Sequence, residues 1–313
     1  MSEVIVVGGG AAGMMAAIAA ADCGHQVTII EKNEKLGKKL FITGKGRCNI
    51  TNDSDVENHL NHVISNPKFM YSAFYSFDSS RMIDFLEQEG LAVKTERGNR
   101  VFPQSDKSSN VLQTLQKALR RRNVTVRLHT KMTGLMIEDH ICKGVKVQSY
   151  HGALETLTAD DVILTTGGLA YPSTGSTGDG HRLLKQAGVA LEPCYPALVP
   201  VETVEEWPIR LQGLSLRNGR AVIRGGKKVL YEDFGEMLFT HYGVSGPLML
   251  TASSYVGKML KKQELLLEID LKPALSDEQL DHRILRDFEE NRNRQFKNSL
   301  GKLFPAKLIP YIL

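Results

Sequence analysis

The chain has 313 residues, of which 42% are hydrophobic and 24% are charged, and its formal net charge at pH 7 is +4. This composition is typical of a globular protein, and the length favours two domains or one domain with a large insert. The mild charge argues against a nucleic-acid partner, and no apolar stretch is long enough to cross a bilayer, so we expect a cytoplasmic protein without a membrane partner.

The N-terminus has the pattern of a dinucleotide-binding unit. The β-branched run EVIVV, residues 3–7, predicts a buried parallel strand, and GGGAAG follows it at once. Gly8, Gly10 and Gly13 therefore have the G-x-G-x-x-G spacing, before a helix rich in alanine and methionine. A second strand, QVTII, leads to Glu31. The order strand, glycine turn, helix, strand and acid is the context in which this fingerprint is specific.

Each residue of the fingerprint has a physical task. Gly8 permits the tight turn, Gly10 lets the backbone approach a pyrophosphate, and Gly13 allows the helix to pack closely on the strand. The pyrophosphate then lies at the positive end of the helix dipole. Glu31 is placed to accept hydrogen bonds from ribose hydroxyls, which disfavours a 2′-phosphorylated nucleotide. The pattern predicts a bound dinucleotide and leaves NAD and FAD open.

The stretch FITGKGRCNITN, residues 41–52, combines glycines, cations and hydrogen-bonding side chains. A phosphate-binding P-loop does not fit it. Gly46 follows Lys45 where that motif needs a hydroxyl, and Lys39 stands at the position of its first glycine. A nucleophilic Cys48, activated by the neighbouring cations, is a second interpretation, although no base partner is evident nearby.

Helices and strands alternate through the middle of the chain. Residues 62–90 are predicted to form helices, and the last of these helices starts at Asp78. Val101–Lys107 is predicted to be a surface turn, and the amphipathic helix SNVLQTLQKALRRR follows it. Residues 123–159 have the alternating and β-branched character of several strands. DVILTTGG, residues 161–168, is predicted to be another buried strand that ends in a glycine turn.

A glycine-rich loop comes next, and a helix with Asp179 as its predicted N-cap follows the loop and ends at Gly188. The composition of the chain changes after this glycine. VALEPCYPALVPVET is rich in proline, and SLRNGRAVIRGGKKVLYEDFGEMLFTH alternates like short antiparallel strands. A helix, a strand and a second helix with Ser276 as its N-cap follow. We therefore predict a nucleotide-binding domain over residues 1–189 and an inserted domain, β-rich and then helical, over residues 190–313.

Four further segments carry a family resemblance. They are EKNEKLGKKLFITGKGRCNITN, RVFPQSDKSSNVLQTL, ILTTGGLAYPSTGSTGDGHRLLKQAG and LFTHYGVSGPLML. With GGGAAG in front of them, the chain resembles the HI0933-like family of FAD-dependent oxidoreductases over most of its length. The resemblance implies an α/β fold: a glutathione-reductase-like Rossmann domain that binds FAD, with an inserted β-rich and helical domain. It also implies that the substrate lies in a cleft between the insert and the flavin.

The same resemblance implies which residues hold FAD. The chemistry of these residues agrees, because Gly44 and Gly46 let the main chain pass close to a cofactor, while Lys39 and Arg47 can offset phosphate charge. The backbone near Met132 is expected to lie beside the adenine, and the glycine-rich loop that leads to Asp179 is expected to lie next to the flavin. The full set is Gly8, Gly10, Ala12, Gly13, Glu31, Lys32, Lys39, Gly44, Gly46, Arg47, Cys48, Asn49, Met132, Thr166, Gly167 and Gly168.

The resemblance stops at the C-terminal end. Members of the family continue into a segment rich in glycine and acidic residues, which returns to the Rossmann domain and closes over the flavin. Nothing similar follows FPAKLIPYIL. We therefore expect a fragment or a truncated product that retains FAD less tightly.

Two motifs that are absent from the sequence limit the reactions that the protein could catalyse. There is no second G-x-G-x-x-G unit, and the four cysteines form no CxxC pair, which argues against a separate nicotinamide domain, a redox dithiol and a zinc site. If NAD(P)H is a transient reductant of the flavin, it has to reach the flavin through the substrate cleft. Otherwise the substrate supplies the hydride, and dioxygen reoxidises the flavin. Candidate acid–base residues are His241, Tyr242 and Tyr171, and no metal is expected.

Three functions fit these features. The favoured one is a flavin oxidoreductase that moves a hydride between FAD and a small organic substrate, either an amine or an enone. The second is an RNA-modifying flavoprotein, against which the mild charge and the absence of an aromatic and basic stripe both argue. The third is a flavin-binding or redox-sensing protein without catalysis.

Overall fold

In a computed structural model that describes residues Met1–Leu313, the chain divides into two units, Met1–Glu192 and Pro193–Leu313. The division falls close to residue 189, where the sequence predicts the domain boundary. The assignment of the second unit to substrate binding stays a prediction. No helix of either unit has the length and apolar character needed to cross a membrane.

The first unit alternates strands and helices. Its strands are β1 (Glu3–Val7), β2 (Gln26–Ile30), β3 (Thr51–Asn52), β4 (Val93–Glu96), β5 (Arg100–Pro103), β6 (Thr125–Arg127), β7 (Thr130–Glu138), β8 (Ile141–Ser149), β9 (Leu154–Thr158) and β10 (Asp161–Leu164). Its helices are α1 (Ala11–Asp22), α2 (Lys38–Ile42), α3 (Val56–Asn61), α4 (Tyr71–Ser76), α5 (Ser79–Gln88), α6 (Ser108–Arg121) and α7 (Asp179–Gln186). Short 3₁₀ turns span Thr43–Gly46, Pro67–Met70 and Pro172–Thr174.

A parallel sheet with strand order β10-β1-β2-β6 organises this unit. Successive side chains of β1 face opposite sides of the sheet. Val4 and Val6 belong to a hydrophobic cluster with residues of α1 and α6, while Ile5 and Val7 belong to another with the antiparallel meander β7-β8-β9. Both faces are covered, which explains the unbroken apolar sequence of β1. Each fully buried side chain of this kind contributes about 1.5–3 kcal/mol.

Two glycines allow α1 to approach the sheet closely. A Cβ atom on Gly13 would lie 1.8 Å from the Gly8 carbonyl oxygen and 2.7 Å from Thr165 Oγ1. Gly8 has a φ of +108°, and a Cβ atom there would lie 2.5 Å from the Thr165 carbonyl oxygen. A larger residue at either position would force the helix or β10 to move. These contacts are the ones that the predicted packing role of Gly13 requires.

The prediction of a surface turn over Val101–Lys107 is wrong for its first three residues. They belong to β5, which pairs antiparallel with both β3 and β4. Val101 stands opposite Thr51 and Thr95 in these pairings, and both Val101 and Phe102 are buried. Such a short strand is stabilised by partners distant in the sequence, so its own few residues do not distinguish it from a turn.

The second unit begins with an antiparallel sheet of order β11-β14-β13-β12-β15. The strands are β11 (Val201–Glu202), β12 (Ser215–Gly225), β13 (Lys228–Thr240), β14 (Gly243–Ser245) and β15 (Leu266–Asp270). The helices are α8 (Trp207–Arg210), α9 (Pro247–Leu260), α10 (Asp277–Glu290), α11 (Phe296–Ser299) and α12 (Ile309–Ile312), with a 3₁₀ turn at Leu300–Lys302. α9 packs on this sheet through Leu248, Met249, Ala252 and Val256.

Two expectations for this unit have clear outcomes. The prediction of short strands over residues 215–241 is wrong, because β12 and β13 form one hairpin of 11- and 13-residue strands. Alternation has the same period in short and long strands, so it predicts the strand type and not the length. The prediction of Ser276 as an N-cap is confirmed, since its hydroxyl accepts from the Gln279 N–H and the Gln279 side chain bonds back to the Ser276 N–H.

Candidate cofactor site

A cavity of about 390 Å³ lies where three strands of the parallel sheet end. The last residues of β1, β2 and β10, which are Val7, Ile30 and Leu164, all line it. β1 is the central strand of the three and is followed directly by the glycine turn. In open α/β sheets, ligands bind outside the carboxyl ends of the strands at such a point. The position of the cavity therefore indicates a ligand site of the nucleotide-binding type.

The N-terminus of α1 faces this cavity without a side-chain cap. Gly10 is the N-cap residue and its position carries no capping hydrogen bond from a side chain. Gly8, Gly10 and Ala12 line the cavity, and a Cβ atom on Gly10 would meet no atom within 4 Å. The first N–H groups of a helix have no intrahelical acceptor and carry partial positive charge. This end of α1 can therefore bind an anion, and Gly10 leaves the space for it.

Glu31 holds the glycine turn from the end of β2. Its carboxylate accepts hydrogen bonds from the Gly9 N–H at 2.7 Å, and from the backbone N–H and side-chain amide of Asn33 at 2.8 and 2.7 Å. The residue lines the cavity and is 8% exposed. A carboxylate has about four acceptor sites, so these three donors leave one for a hydroxyl group. Ribose binding by Glu31 stays a prediction that this geometry permits.

The wall of the cavity is rich in ammonium groups. The Lys39 Nζ atom donates hydrogen bonds to the Ala170 carbonyl oxygen at 2.8 Å and to Ser176 Oγ at 2.7 Å. The loop that precedes α7 is thereby tied to α2. Four lysines and two carboxylates, those of Glu31 and Asp179, leave the lining with a net positive charge, which favours an anionic ligand such as a diphosphate. The lysines that line it are Lys32, Lys38, Lys39 and Lys131.

Asp179 is the one carboxylate besides Glu31 in the lining. It is the first residue of α7 and the N-cap is Gly178, so the prediction of a capping role for Asp179 is wrong. Its carboxylate instead accepts hydrogen bonds from Lys32 Nζ and the Thr177 hydroxyl. Burial alone would raise the pKa of Asp179, but these hydrogen bonds and the charges of Lys32 and Lys131 lower the pKa to about 2. The group is therefore ionised at neutral pH.

The loop after α2 contributes Thr43 to the cavity lining, but the predicted cofactor residues of this loop, between Gly44 and Asn49, lie outside the lining. The Arg47 guanidinium lies 2.5 Å from the Glu96 carboxylate and 2.6 Å from that of Asp106, and it stacks over the Phe102 ring at 4.1 Å. Hydrogen bonds to these carboxylates raise the pKa of Arg47. Phosphate binding by Arg47 stays a prediction. The other predicted residues of the loop are Gly44, Gly46, Cys48 and Asn49.

Cys48 and Asn49 have structural contacts. Cys48 is 1% exposed within the hydrophobic cluster on the α1 side of the sheet, and burial raises the pKa of its thiol. A buried thiol with a raised pKa is a poor nucleophile, which argues against catalysis by Cys48. The Asn49 side-chain amide donates to the carbonyl oxygens of Thr51 and Val101. It thereby anchors the loop to β3 and β5.

The later predicted residues divide between the cavity and its surroundings. Met132, which is buried in β7, lines the cavity together with Thr166 and Gly167. Gly168 is outside the lining. Gly167 has a φ of +71°, and a Cβ atom there would lie 2.6 Å from Ser176 Oγ. Glycine at this position is therefore required by both backbone conformation and space.

The three candidate acid–base residues do not line the cavity. His241 and Tyr242 form the turn between β13 and β14 in the second unit, with their ring centroids 4.4 Å apart in an edge-on arrangement. Tyr171 lies in the first unit before Pro172, has a φ of +55° and is 64% exposed. Their catalytic roles stay predictions.

The residues present fit the ADP portion of FAD. The uncapped end of α1 and the lysines suit the diphosphate, the open space at Gly10 suits its close approach, and Glu31 retains an acceptor for the ribose. Several lining residues are outside the set of cofactor residues that was named from the sequence. Thr43 and residues 174–179 belong to segments that the family resemblance places at the cofactor, and polar residues also cluster directly after Glu31. The additional residues are Asn33, Lys38, Thr43, Lys131, Thr174, Gly175, Ser176 and Asp179.

Comparison with known proteins agrees with this geometry. Residues 2–264 match the family described as HI0933-like protein Rossmann domain. The chain is 33% identical to a 3-dehydro-bile acid delta(4,6)-reductase of Clostridium scindens, over all of this chain and 75% of the relative. It is 28% identical to a ribosomal RNA dihydrouridine synthase of Escherichia coli, over 98% of this chain and 72% of the relative.

Solved structures support the fold. The open conformation of a flavocytochrome c3 fumarate reductase aligns with a TM-score of 0.52 and 22% identity, over 69% of this chain and 47% of that one. The chain thus spans about half the length of that structure. At this level of identity the likeness concerns the fold alone.

Proposed function

This chain belongs to the HI0933-like family and is an FAD-dependent oxidoreductase, and we propose that it reduces a carbon–carbon double bond conjugated to a carbonyl group. The observation that carries the FAD site is the uncapped N-terminus of α1, which faces a lysine-lined cavity at the ends of β1, β2 and β10. NAD(P)H as the reductant of the flavin is part of the proposal.

The names of the two relatives favour reduction over amine oxidation. One is a delta(4,6)-reductase of a 3-dehydro bile acid, and the other forms dihydrouridine. In both substrates the double bond is conjugated to a carbonyl group, so that its far carbon accepts a hydride. A proton must then reach the carbon next to the carbonyl group. Hydride and proton together supply the two electrons and two hydrogens that saturate the bond.

Bound FAD would supply the hydride, and the protein would supply binding and proton transfer. The N–H groups at the start of α1 would hold the diphosphate, and Glu31 would accept from a ribose hydroxyl. Lys39 and Lys131, the lining lysines that form no salt bridge, would offset phosphate charge. The proposed proton donor is His241 or Tyr242, because imidazole and phenol groups both serve as general acids.

The experiment combines cofactor binding with substrate-dependent oxidation. The purified chain is loaded with FAD, freed of excess cofactor and reduced anaerobically with NADH or NADPH, while the flavin absorbance is followed. A 3-oxo-4-ene steroid is then added, and the expected result is reoxidation of the flavin with one saturated product per flavin. A primary amine, tested with oxidised enzyme, is the matched control and should leave the flavin oxidised. Bleaching by the amine and none by NAD(P)H would refute the proposed direction.

A second candidate substrate is a uridine in RNA. The observation in its favour is the 28% identity to the E. coli enzyme over almost the whole chain. The net charge of +4 is small for a protein that binds RNA phosphates. Ribosomal RNA is incubated with the reduced enzyme and examined by mass spectrometry. If uridine in RNA is the substrate, a uridine gains two hydrogens; if the substrate is a small enone, the RNA is unchanged. A flavin that no donor bleaches would instead favour a non-catalytic flavin-binding protein.

A further inference from the structure

The second unit contains a cavity of its own, of about 670 Å³. Its floor consists of apolar side chains that are almost fully buried, including Phe239, Val244 and Met249. Its rim is apolar and exposed, with Val204 and Leu266 at 76% and 59% exposure. Ligand cavities in proteins measure about 300–1,000 Å³ and are mostly apolar with a few polar groups. This cavity therefore has the size and the surface of a ligand site.

The charges around the cavity are all negative. Its lining contains Glu202, Glu205 and Glu264 and no lysine, arginine or histidine. None of these three carboxylates takes part in an ion pair, and none accepts a hydrogen bond through its side chain. They are exposed and remain available to a ligand. Because like charges repel and opposite charges attract, the rim disfavours an anionic ligand and favours a cationic one.

An aromatic face adds to this preference. Trp207 lines the cavity, is 38% exposed and packs its ring 6.0 Å from that of Phe239. The indole ring attracts cations more strongly than the other aromatic side chains do. No lysine or arginine side chain of the protein lies over the Trp207 ring, because the cation–π contacts involve Phe41, Phe102 and Tyr195. The ring is therefore available to a cationic ligand.

We propose that this cavity is a second ligand site, which binds an amphipathic organic cation. The apolar body of the ligand would cover the buried floor, and its ammonium group would lie at the rim near Trp207 and its chain neighbours Glu202 and Glu205. Apolar burial would supply most of the affinity, and the charges would select the sign of the head group. The cavity shares no lining residue with the proposed cofactor site, and neither His241 nor Tyr242 lines it.

Trp207 makes the test direct, because it is the one tryptophan of the chain. The full chain is titrated with decyltrimethylammonium below its micelle concentration, and the emission of Trp207 is recorded. The expected result is a saturable change with one ligand per chain. Decyl sulfate, which has the same apolar tail and the opposite charge, should bind at least tenfold more weakly. Equal affinities for the two probes would overturn the charge argument, and no saturable change with either would overturn the site.

Two surface variants separate the site from general adsorption of the probe. Leu266→Arg places a cation at the rim and should weaken decyltrimethylammonium binding by tenfold or more. Leu285→Arg is the matched control, because Leu285 is also 59% exposed but does not line the cavity. It should leave the affinity unchanged. If both variants weaken binding equally, the probe is responding to net charge and the proposed site is refuted.

The head-group contacts are tested by Glu202→Gln combined with Glu205→Gln. Both side chains are exposed, so the folded chain should be retained. The affinity for decyltrimethylammonium should fall about fivefold to tenfold, while the affinity for neutral decanol stays the same. Sedimentation without ligand completes the test by measuring the oligomeric state. A dimer in which Trp207 is shielded from solvent would mean that a second copy of the chain covers the cavity. That result would overturn the proposal.

Discussion

The ammonium group of Lys32 lies 2.7 Å from the carboxylate of Asp179, although 147 positions separate the two residues in the chain. Both side chains line the cavity at the ends of β1, β2 and β10. Their ion pair joins the segment after β2 to the start of α7. The pair therefore stabilises one side of the proposed cofactor site before any ligand binds.

Asp179→Asn should lower the free energy of unfolding at pH 7. The pKa of Asp179 is lowered from 3.8 to about 2 in the folded chain, so its ionisation stabilises the fold above the unfolded pKa. This contribution is about 1–2 kcal/mol. It should disappear as the pH falls from about 4 to 2, because the carboxylate then becomes protonated in the folded state too. Urea unfolding of both proteins at several pH values measures the difference, and a gap that stays constant on acidification would contradict the assignment.

Gly10→Ala should separate FAD binding from stability. A Cβ atom there meets no atom of the chain, and the φ of −77° suits alanine, so unfolding by urea should change by less than about 1 kcal/mol. The added methyl group would lie where the diphosphate is proposed to approach. The affinity for FAD, measured by the quenching of flavin fluorescence, should fall at least tenfold.

Gly13→Ala is the matched comparison. Its Cβ atom would lie 1.8 Å from the Gly8 carbonyl oxygen, so α1 must move away from the sheet. The expected loss of stability is about 3 kcal/mol or more, in the range of severe overpacking. Both stability and FAD binding should suffer. If Gly10→Ala lost as much stability as Gly13→Ala, the distinction between the two glycines would not hold.

Glu89→Gln should destabilise the first unit. The Glu89 side chain is 4% exposed and lies 2.7 Å from Arg121 and 2.9 Å from Arg122. Breaking a buried ion pair costs about 3–5 kcal/mol, and the partial exposure of these arginines reduces the expected cost to about 2 kcal/mol. Glu232→Gln, which removes the exposed partner of Arg220, is the control and should cost less than about 1 kcal/mol. Chemical denaturation measures the free energy of unfolding of both variants. Equal losses of stability in Glu89→Gln and Glu232→Gln would contradict the role of burial.

Cys48 should be protected from alkylation in the folded chain. Its thiol is buried and its pKa is raised, whereas Cys23 is exposed. Because the thiolate is the reactive form, iodoacetamide at pH 8 should modify Cys23 at least a hundredfold faster than Cys48. Peptide mass spectrometry gives both rates, and denaturant should equalise them. Cys48→Ala should also retain FAD binding, and a colourless variant that remains folded would restore a direct role for Cys48 at the cofactor.

His241→Gln tests the proposed proton donor. The flavin should still bind and be reduced by NAD(P)H, while the rate of enone reduction falls about a hundredfold, as expected for the loss of a general acid. Tyr242→Phe is measured beside it, since the two rings are 4.4 Å apart and either group is a candidate. Stopped-flow spectroscopy separates the two half-reactions. Unchanged flavin reoxidation in both variants would remove this pair from the mechanism.

The local pattern of the N-terminal unit was sufficient to predict much of it. A continuous apolar strand, glycines at fixed spacing and an acid after the next strand determine their own backbone geometry. The structure accordingly has β1, the glycine turn, α1 and β2 in that order. Gly13 packs against Gly8, and Met132 lines the cavity, while the contacts of both residues with FAD stay predictions. Capping by Ser276 was predictable for the same reason, since a capping box involves residues three positions apart.

Only the tertiary structure decided which charged residues meet. Arg47 is next to the cofactor motif in sequence, yet its side chain is bound by Glu96 and Asp106, whereas Asp179 pairs with a lysine from the far end of the unit. Charged side chains are long and flexible, and their partners come from segments that the sheet order brings together. Burial of Val101 in a short strand has the same origin. The sequence therefore determined the nucleotide-binding backbone, while the packing of distant segments decided the electrostatics of its walls.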